Sequence, residues 1–161
     1  MKNLYCVFSR GLVLACALTL LCGGVAFAQT NIITGNDTQK ILQIASNYGP
    51  AELSTSGNGN PLIGGSMDGI NYTVRFTGCN NGANCTELWF WTYWQGNQGL
   101  SVSQINKWNA DEFFGKMYID SDGDLVVEMF VNLSHGVVAE TLDDDFDWWN
   151  IVLNNVKDTV R

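Results

Sequence analysis

Apolar and polar positions change period several times along this chain, and each change marks an element. Over residues 37–48, Ile41, Ile44, Ala45 and Tyr48 recur at helical spacing, which predicts an amphipathic helix capped by Asp37 or Thr38. Gly49 and Pro50 end it, the first as a left-handed cap and the second by lacking a donor. From Glu52 the period becomes two, although residues 54–60 are small and polar and read as a loop or weak edge strand. The runs PLIGGSM and INYTVRFT flank Asp68-Gly69, a dipeptide favoured in two-residue hairpin turns. That turn pairs Met67 with Ile70 and Ile63 with Val74, and it gathers Ile63, Met67, Ile70, Tyr72, Val74 and Phe76 on one face.

The next strand, TELWFWTYW, is aromatic on both sides. Leu88, Phe90 and Trp94 face one way, and Trp89, Trp91 and Tyr93 the other. One side can join the core. The other needs a second internal layer, a partner chain or a ligand to cover it. Ser101-Val102-Ser103-Gln104 has capping-box form and opens a second helix that points Val102, Ile105 and Trp108 together. A turn at Ser134-His135-Gly136 leads through Val137 and Val138 to a last helix, capped by Thr141, with Asp143, Asp144 and Asp145 in its first turn. Leu142, Phe146, Trp149, Leu153, Val156 and Val160 form its apolar stripe. The expected fold is therefore α+β, an antiparallel sheet with helices packed on it, in the order α-β-β-β-α-β-β-α.

Residues 113–133, FFGKMYIDSDGDLVVEMFVNL, hold the one stretch that resembles a metal site. Asp120, Asp122 and Asp124 alternate as in a calcium loop, but such a loop wants glycine sixth and glutamate twelfth, and Leu125 and Val131 stand there. A three-residue turn of Ser121, Asp122 and Gly123 pairs Ile119 with Leu125, Met117 with Val127 and Lys116 with Glu128. It puts Met117, Ile119, Leu125, Val127, Met129, Val131 and Leu133 on one face, with Gly123 in a left-handed bulge position. The acids read as a turn, and no metal or other cofactor is called for.

Composition then sets the compartment. Lys2 and Arg10 precede a nearly continuous apolar run from Gly11 to Val25, and Ala26-Phe27-Ala28 has signal-peptidase form. Residues 1–28 are expected to be a signal peptide cleaved after Ala28, leaving residues 29–161 as one domain in the periplasm or outside the cell. The run is short for a membrane span, which needs about 20 apolar residues. Neither Cys16 nor Cys22 sits in good lipoprotein context, since Leu21 precedes Cys22 and Cys16 follows too short an apolar run. Cleavage would remove Cys6, Cys16 and Cys22, so Cys79 and Cys85 remain as a disulfide pair closing a short loop. A redox or metal role for them lacks both C-x-x-C spacing and a nearby histidine. Losing Lys2 and Arg10 also takes the formal charge from -8 to -10, which argues against nucleic acid as a partner.

Catalytic chemistry finds little support. His135 is the only histidine, Ser134 beside it lacks a G-x-S-x-G elbow, and the acids of residues 143–147 are explained by a helix start. Gly57-Asn58-Gly59 and Gly64-Gly65 lack the strand-turn-helix setting of a phosphate loop.

Several runs carry a resemblance: Ala51-Glu52-Leu53, Asn60-Pro61-Leu62-Ile63, Asp68-Gly69 and Ile105-Asn106-Lys107-Trp108-Asn109. More specific are Phe114-Gly115-Lys116-Met117-Tyr118-Ile119-Asp120, Glu128-Met129, Val131-Asn132-Leu133 and the helix from Phe146 to Trp149. With these the chain resembles the YbjN-domain family, described as bacterial sensory transduction regulators. The resemblance implies a fold like that of type III secretion chaperones, often paired as dimers, and protein binding rather than catalysis. The expectation is an exported, non-enzymatic regulatory domain that binds an envelope protein or itself, through Trp89, Trp91, Tyr93 and Trp108. The alternative is a carrier of a small apolar ligand or lipid in an aromatic cavity.

Overall fold

The computed structural model describes residues 31–160. The expected signal peptide, with Cys6, Cys16 and Cys22, lies outside the described residues. Eight strands and three helices follow in order. They are β1 (Ile32–Ile33), α1 (Thr38–Asn47), β2 (Ala51–Thr55), β3 (Pro61–Met67), β4 (Ile70–Thr77), β5 (Glu87–Trp94), α2 (Val102–Asp111), β6 (Lys116–Ile119), β7 (Leu125–Asn132), β8 (Val137–Val138) and α3 (Ala139–Thr159). Six strands form one antiparallel sheet in the order β2-β3-β4-β5-β7-β6, and β1 pairs separately with β8.

Both expected hairpin registers are present. Met67 pairs with Ile70 and Ile63 with Val74, while Ile119 pairs with Leu125 and Lys116 with Glu128. In the second hairpin Gly123 takes φ +86°, a conformation that favours glycine, and closes the turn. Alternation then sorts the side chains. Ile63, Val74, Phe76, Leu88, Phe90, Leu125 and Val127 are buried on one face with Ile41 and Ala45 of α1, Ile105 and Trp108 of α2, and Leu142, Phe146, Trp149, Leu153 and Val156 of α3. At the centre, Phe90 meets Phe146 edge-on with centroids 4.8 Å apart and Trp149 at 5.6 Å, the offset geometry that aromatic quadrupoles favour.

Several local expectations are corrected. Four strands, not three, separate α1 from α2, because Ala51–Thr55 pairs with β3 as an edge strand. The helix α3 begins at Ala139, whose N–H donates to Asn31 O at 2.9 Å. The backbone of Asn31, just before β1, thus does the work assigned to Thr141, and Asp143 to Asp145 fall beyond the first turn, where Glu140 is the only acid. Gly49 adopts φ +152°, and an added Cβ would lie 2.2 Å from Ser66 O, so close approach of β3 explains the glycine better than a left-handed cap. Val102 is exposed, and Trp108 is a core residue only 7% exposed.

Two contacts finish the frame. The side chain of Asn109 in α2 donates to Met117 O and accepts from Met117 N–H, both at 2.8 Å. It thereby covers the edge strand β6 where another chain could otherwise pair. Cys79 and Cys85 are joined as a disulfide, and the loop they close is held to the N-terminal segment by reciprocal bonds between Asn36 and Asn84 at 2.7 and 2.8 Å.

Candidate protein-binding face of the sheet

All three helices cover one face of the sheet. The other face is built by the alternate residues of the same strands, and register places them in rows. Arg75, Trp89 and Phe130 form one row; Glu52, Gly64, Thr73, Trp91, Glu128 and Lys116 form the next. Tyr93, Val126 and Tyr118 form a third.

The sheet therefore brings Trp89, Trp91 and Tyr93 together as expected. Trp91 and Tyr93 sit 5.0 Å apart between centroids at 33°, and the Arg75 guanidinium lies 4.1 Å from the centre of the Trp91 ring. That is cation–π range. Tyr93 is 53% exposed, and Phe130 is 57% exposed across the strand pair from Trp89. Trp108 does not join them: it lies in the core on the helix side, and its indole N–H finds no acceptor. That is a correction to the expected contact set.

Arg75, Tyr118 and Phe130 were missed by sequence reading. The signal for Phe130 was present, since the register that turns Met129 and Val131 inward turns Phe130 outward. Arg75 alternates in the same way with Val74 and Phe76 in β4. On the β6 side the face closes over itself. Glu128 is only 8% exposed; its carboxylate is ion-paired with Lys116 and accepts from the Tyr118 hydroxyl at 3.0 Å. The Lys116 ammonium also lies 4.7 Å from the Tyr118 ring. Burial, then the Glu128 hydrogen bond and charge, push the Tyr118 phenol up. Val126, 1% exposed, is covered between Tyr93 and Tyr118.

The face has relief. Trp89, Phe113, Phe114, Lys116 and Phe130 border an open trough of about 350 Å³, and Asn71, Thr73, Trp91 and Tyr93 another of about 440 Å³. At the opposite end, where Gly64, Gly65 and Ser66 supply little bulk, an open depression of about 360 Å³ includes Glu52.

The acidic turn is occupied with backbone. Asp120 Oδ1 accepts from Asp122 N–H and Asp124 N–H at 3.0 and 2.9 Å, and Asp124 Oδ1 accepts from Gly96 N–H at 2.7 Å. Among the described residues no group of three or more His, Cys, Asp or Glu side chains is placed to hold a metal ion. His135 is exposed in its turn.

A family model described as "Putative bacterial sensory transduction regulator" matches residues 40–161. The chain belongs to the YbjN family. No curated protein matches it. Among solved structures, the YbjN domain is similar to the Yersinia pestis type III secretion chaperone SycH, solved in complex with a stable fragment of YscM2. The identity is 16%, the match covers 79% of this chain and 97% of that one, and the TM-score is 0.46. Among the described residues of the YbjN domain, no helix is long and apolar enough to cross a membrane.

Proposed function

We propose that this YbjN domain is an exported, non-enzymatic regulatory module that binds protein, either an envelope partner or another copy of itself, through the open face of its sheet. One observation carries the reading: Trp89, Trp91, Tyr93 and Phe130 stand together on a face that no helix covers, while the opposite face is fully packed. Exposed aromatic clusters beside arginine are the usual anchors of protein interfaces. The family description supports a regulatory role. The disulfide and the sequence of residues 1–28 support export. The carrier alternative wants an enclosed aromatic cavity, and the depressions on this face are open troughs.

The test is a double substitution, Trp89→Ala with Trp91→Ala. Oligomer mass by light scattering and capture of crosslinked partners in the envelope fraction are compared with the wild type. Loss of one or both is expected with melting behaviour retained; no change in either would overturn the assignment. N-terminal mass spectrometry of the exported protein should find Gln29 first, and an intact residue 1 in the envelope would overturn cleavage.

A further inference from the structure

The open face carries one cation and one anion that make neither an ion pair nor a side-chain hydrogen bond, and two complementary shapes. Among the described residues, Arg75 makes no ion pair or hydrogen bond through its guanidinium, which lies over the Trp91 ring. That is notable in a chain with sixteen acids. The face's other acids divide cleanly. Glu128 is held by Lys116 and Tyr118, and Glu87 accepts from the Thr77 hydroxyl at 2.7 Å. Glu52 is exposed on the outermost strand β2, in the row of Gly64 and Trp91, and takes no partner among the described residues.

Shape follows the same division. Strand β5 raises a ridge of Trp89, Trp91 and Tyr93 next to Arg75. Strands β2 and β3 leave a depression where Gly64 and Ser66 flank Glu52. A Cβ on Gly64 would meet nothing within 4 Å.

We propose that the occupant of this face is a second copy of the chain, docked face to face about a two-fold axis. The aromatic ridge of each copy enters the Gly64–Ser66 depression of the other, and Arg75 of each pairs with Glu52 of the partner copy. A two-fold contact makes each complementary pair twice, which turns one unpaired cation and one unpaired anion into a closed set. Strand β2 lies two strands from β4, so the axis crosses the strands obliquely. Trp91 then comes to rest over the small residues of β3 rather than over its own symmetry mate. The inference rests on the protein-binding reading above and names its partner.

The dimer dissociation constant of the mature protein is measured by light scattering and confirmed by analytical ultracentrifugation. Arg75→Glu and Glu52→Arg are each expected to weaken dimerisation about tenfold, because each places like charges in contact. The doubly reversed protein should recover it. Gly64→Leu, which fills the depression at a position with room for a side chain, should give monomers whose urea midpoint matches that of the wild type at concentrations where the wild type is also monomeric. A wild-type protein that stays monomeric at high concentration would overturn the second-copy inference and leave partner capture to test the binding reading. A dimer lost in Trp89→Ala/Trp91→Ala but indifferent to Gly64→Leu and to both reversals would keep the face and overturn this docking. A dimer indifferent to all of these changes would overturn both.

Discussion

The two faces of the sheet are made by the same strands and differ in what their alternate residues do. In β5, Leu88 and Phe90 are fully buried, Phe90 against α3, while the outward Trp89, Trp91 and Tyr93 remain partly or largely in solvent. Chemically the two sets are close: both are large and apolar. What separates them is cover. The helix side fills with Phe146 and Trp149; the other side receives only Arg75 and its own neighbours. Aromatic content alone therefore does not mark a binding surface. Aromatic residues on a face the chain's own helices leave open do.

Truncating one aromatic residue on each side separates the two roles. Phe90→Ala should cost about 3–5 kcal/mol in urea denaturation, as expected for an emptied core site. Trp91→Ala should cost less than about 1 kcal/mol, since the ring gives up partial burial and one stacked guanidinium. Equal losses would mean that both faces serve stability alike. Next in size is Glu128, the one buried charge on the open side among the described residues. Lys116→Met leaves Glu128 with Tyr118 as its remaining partner and should cost about 1–3 kcal/mol, measured in the same way. A neutral result would mean that water reaches the carboxylate.

Removing the disulfide by Cys79→Ser with Cys85→Ser should lower stability by about 2 kcal/mol on the chain-entropy account. It should leave the oligomer mass of the wild type unchanged. The smallest effect belongs to α3. Burial, aided by the charge of Asp144, pushes the Asp145 carboxyl up from 3.8 to about 6. The folded state holds that proton to higher pH than the unfolded chain does, so the contribution of Asp145 to stability is fully present below 3.8 and is lost as pH rises through about 6. Asp145→Asn should flatten the decline and raise stability at neutral pH by up to about 1 kcal/mol, discounted for partial exposure. Melting temperatures across that pH range would show it.

Much of the fold was legible in the sequence for a physical reason. Two tight turns, Asp68-Gly69 and Asp120 to Gly123, lock their hairpins into registers in which a slip of one residue would expose the core set. Knowing the register of β7 also determines the outward face, including Phe130. The start of α3 was harder to place because its first N–H is satisfied by Asn31, more than a hundred residues earlier, and no local pattern encodes that bond. Trp108 illustrates a second limit. Helical spacing groups it with Val102 and Ile105 but does not say how far round the helix the core extends, and the structure buries Ile105 and Trp108 while leaving Val102 in water. The strand Ala51–Thr55 was ambiguous because an edge strand with polar outward residues has the same composition as a loop.

The division between faces also has a photophysical consequence. Of six tryptophans, Trp108 and Trp149 are buried with indole N–H groups that meet no acceptor, while Trp89 and Trp91 lie at the border with water. Indoles in dry surroundings emit at shorter wavelength than hydrated ones. The unlabelled protein therefore carries blue emission from its interior and redder emission from Trp89 and Trp91 together with the exposed Trp148 of α3, and replacing Trp148 would leave the redder part to track what settles on the sheet.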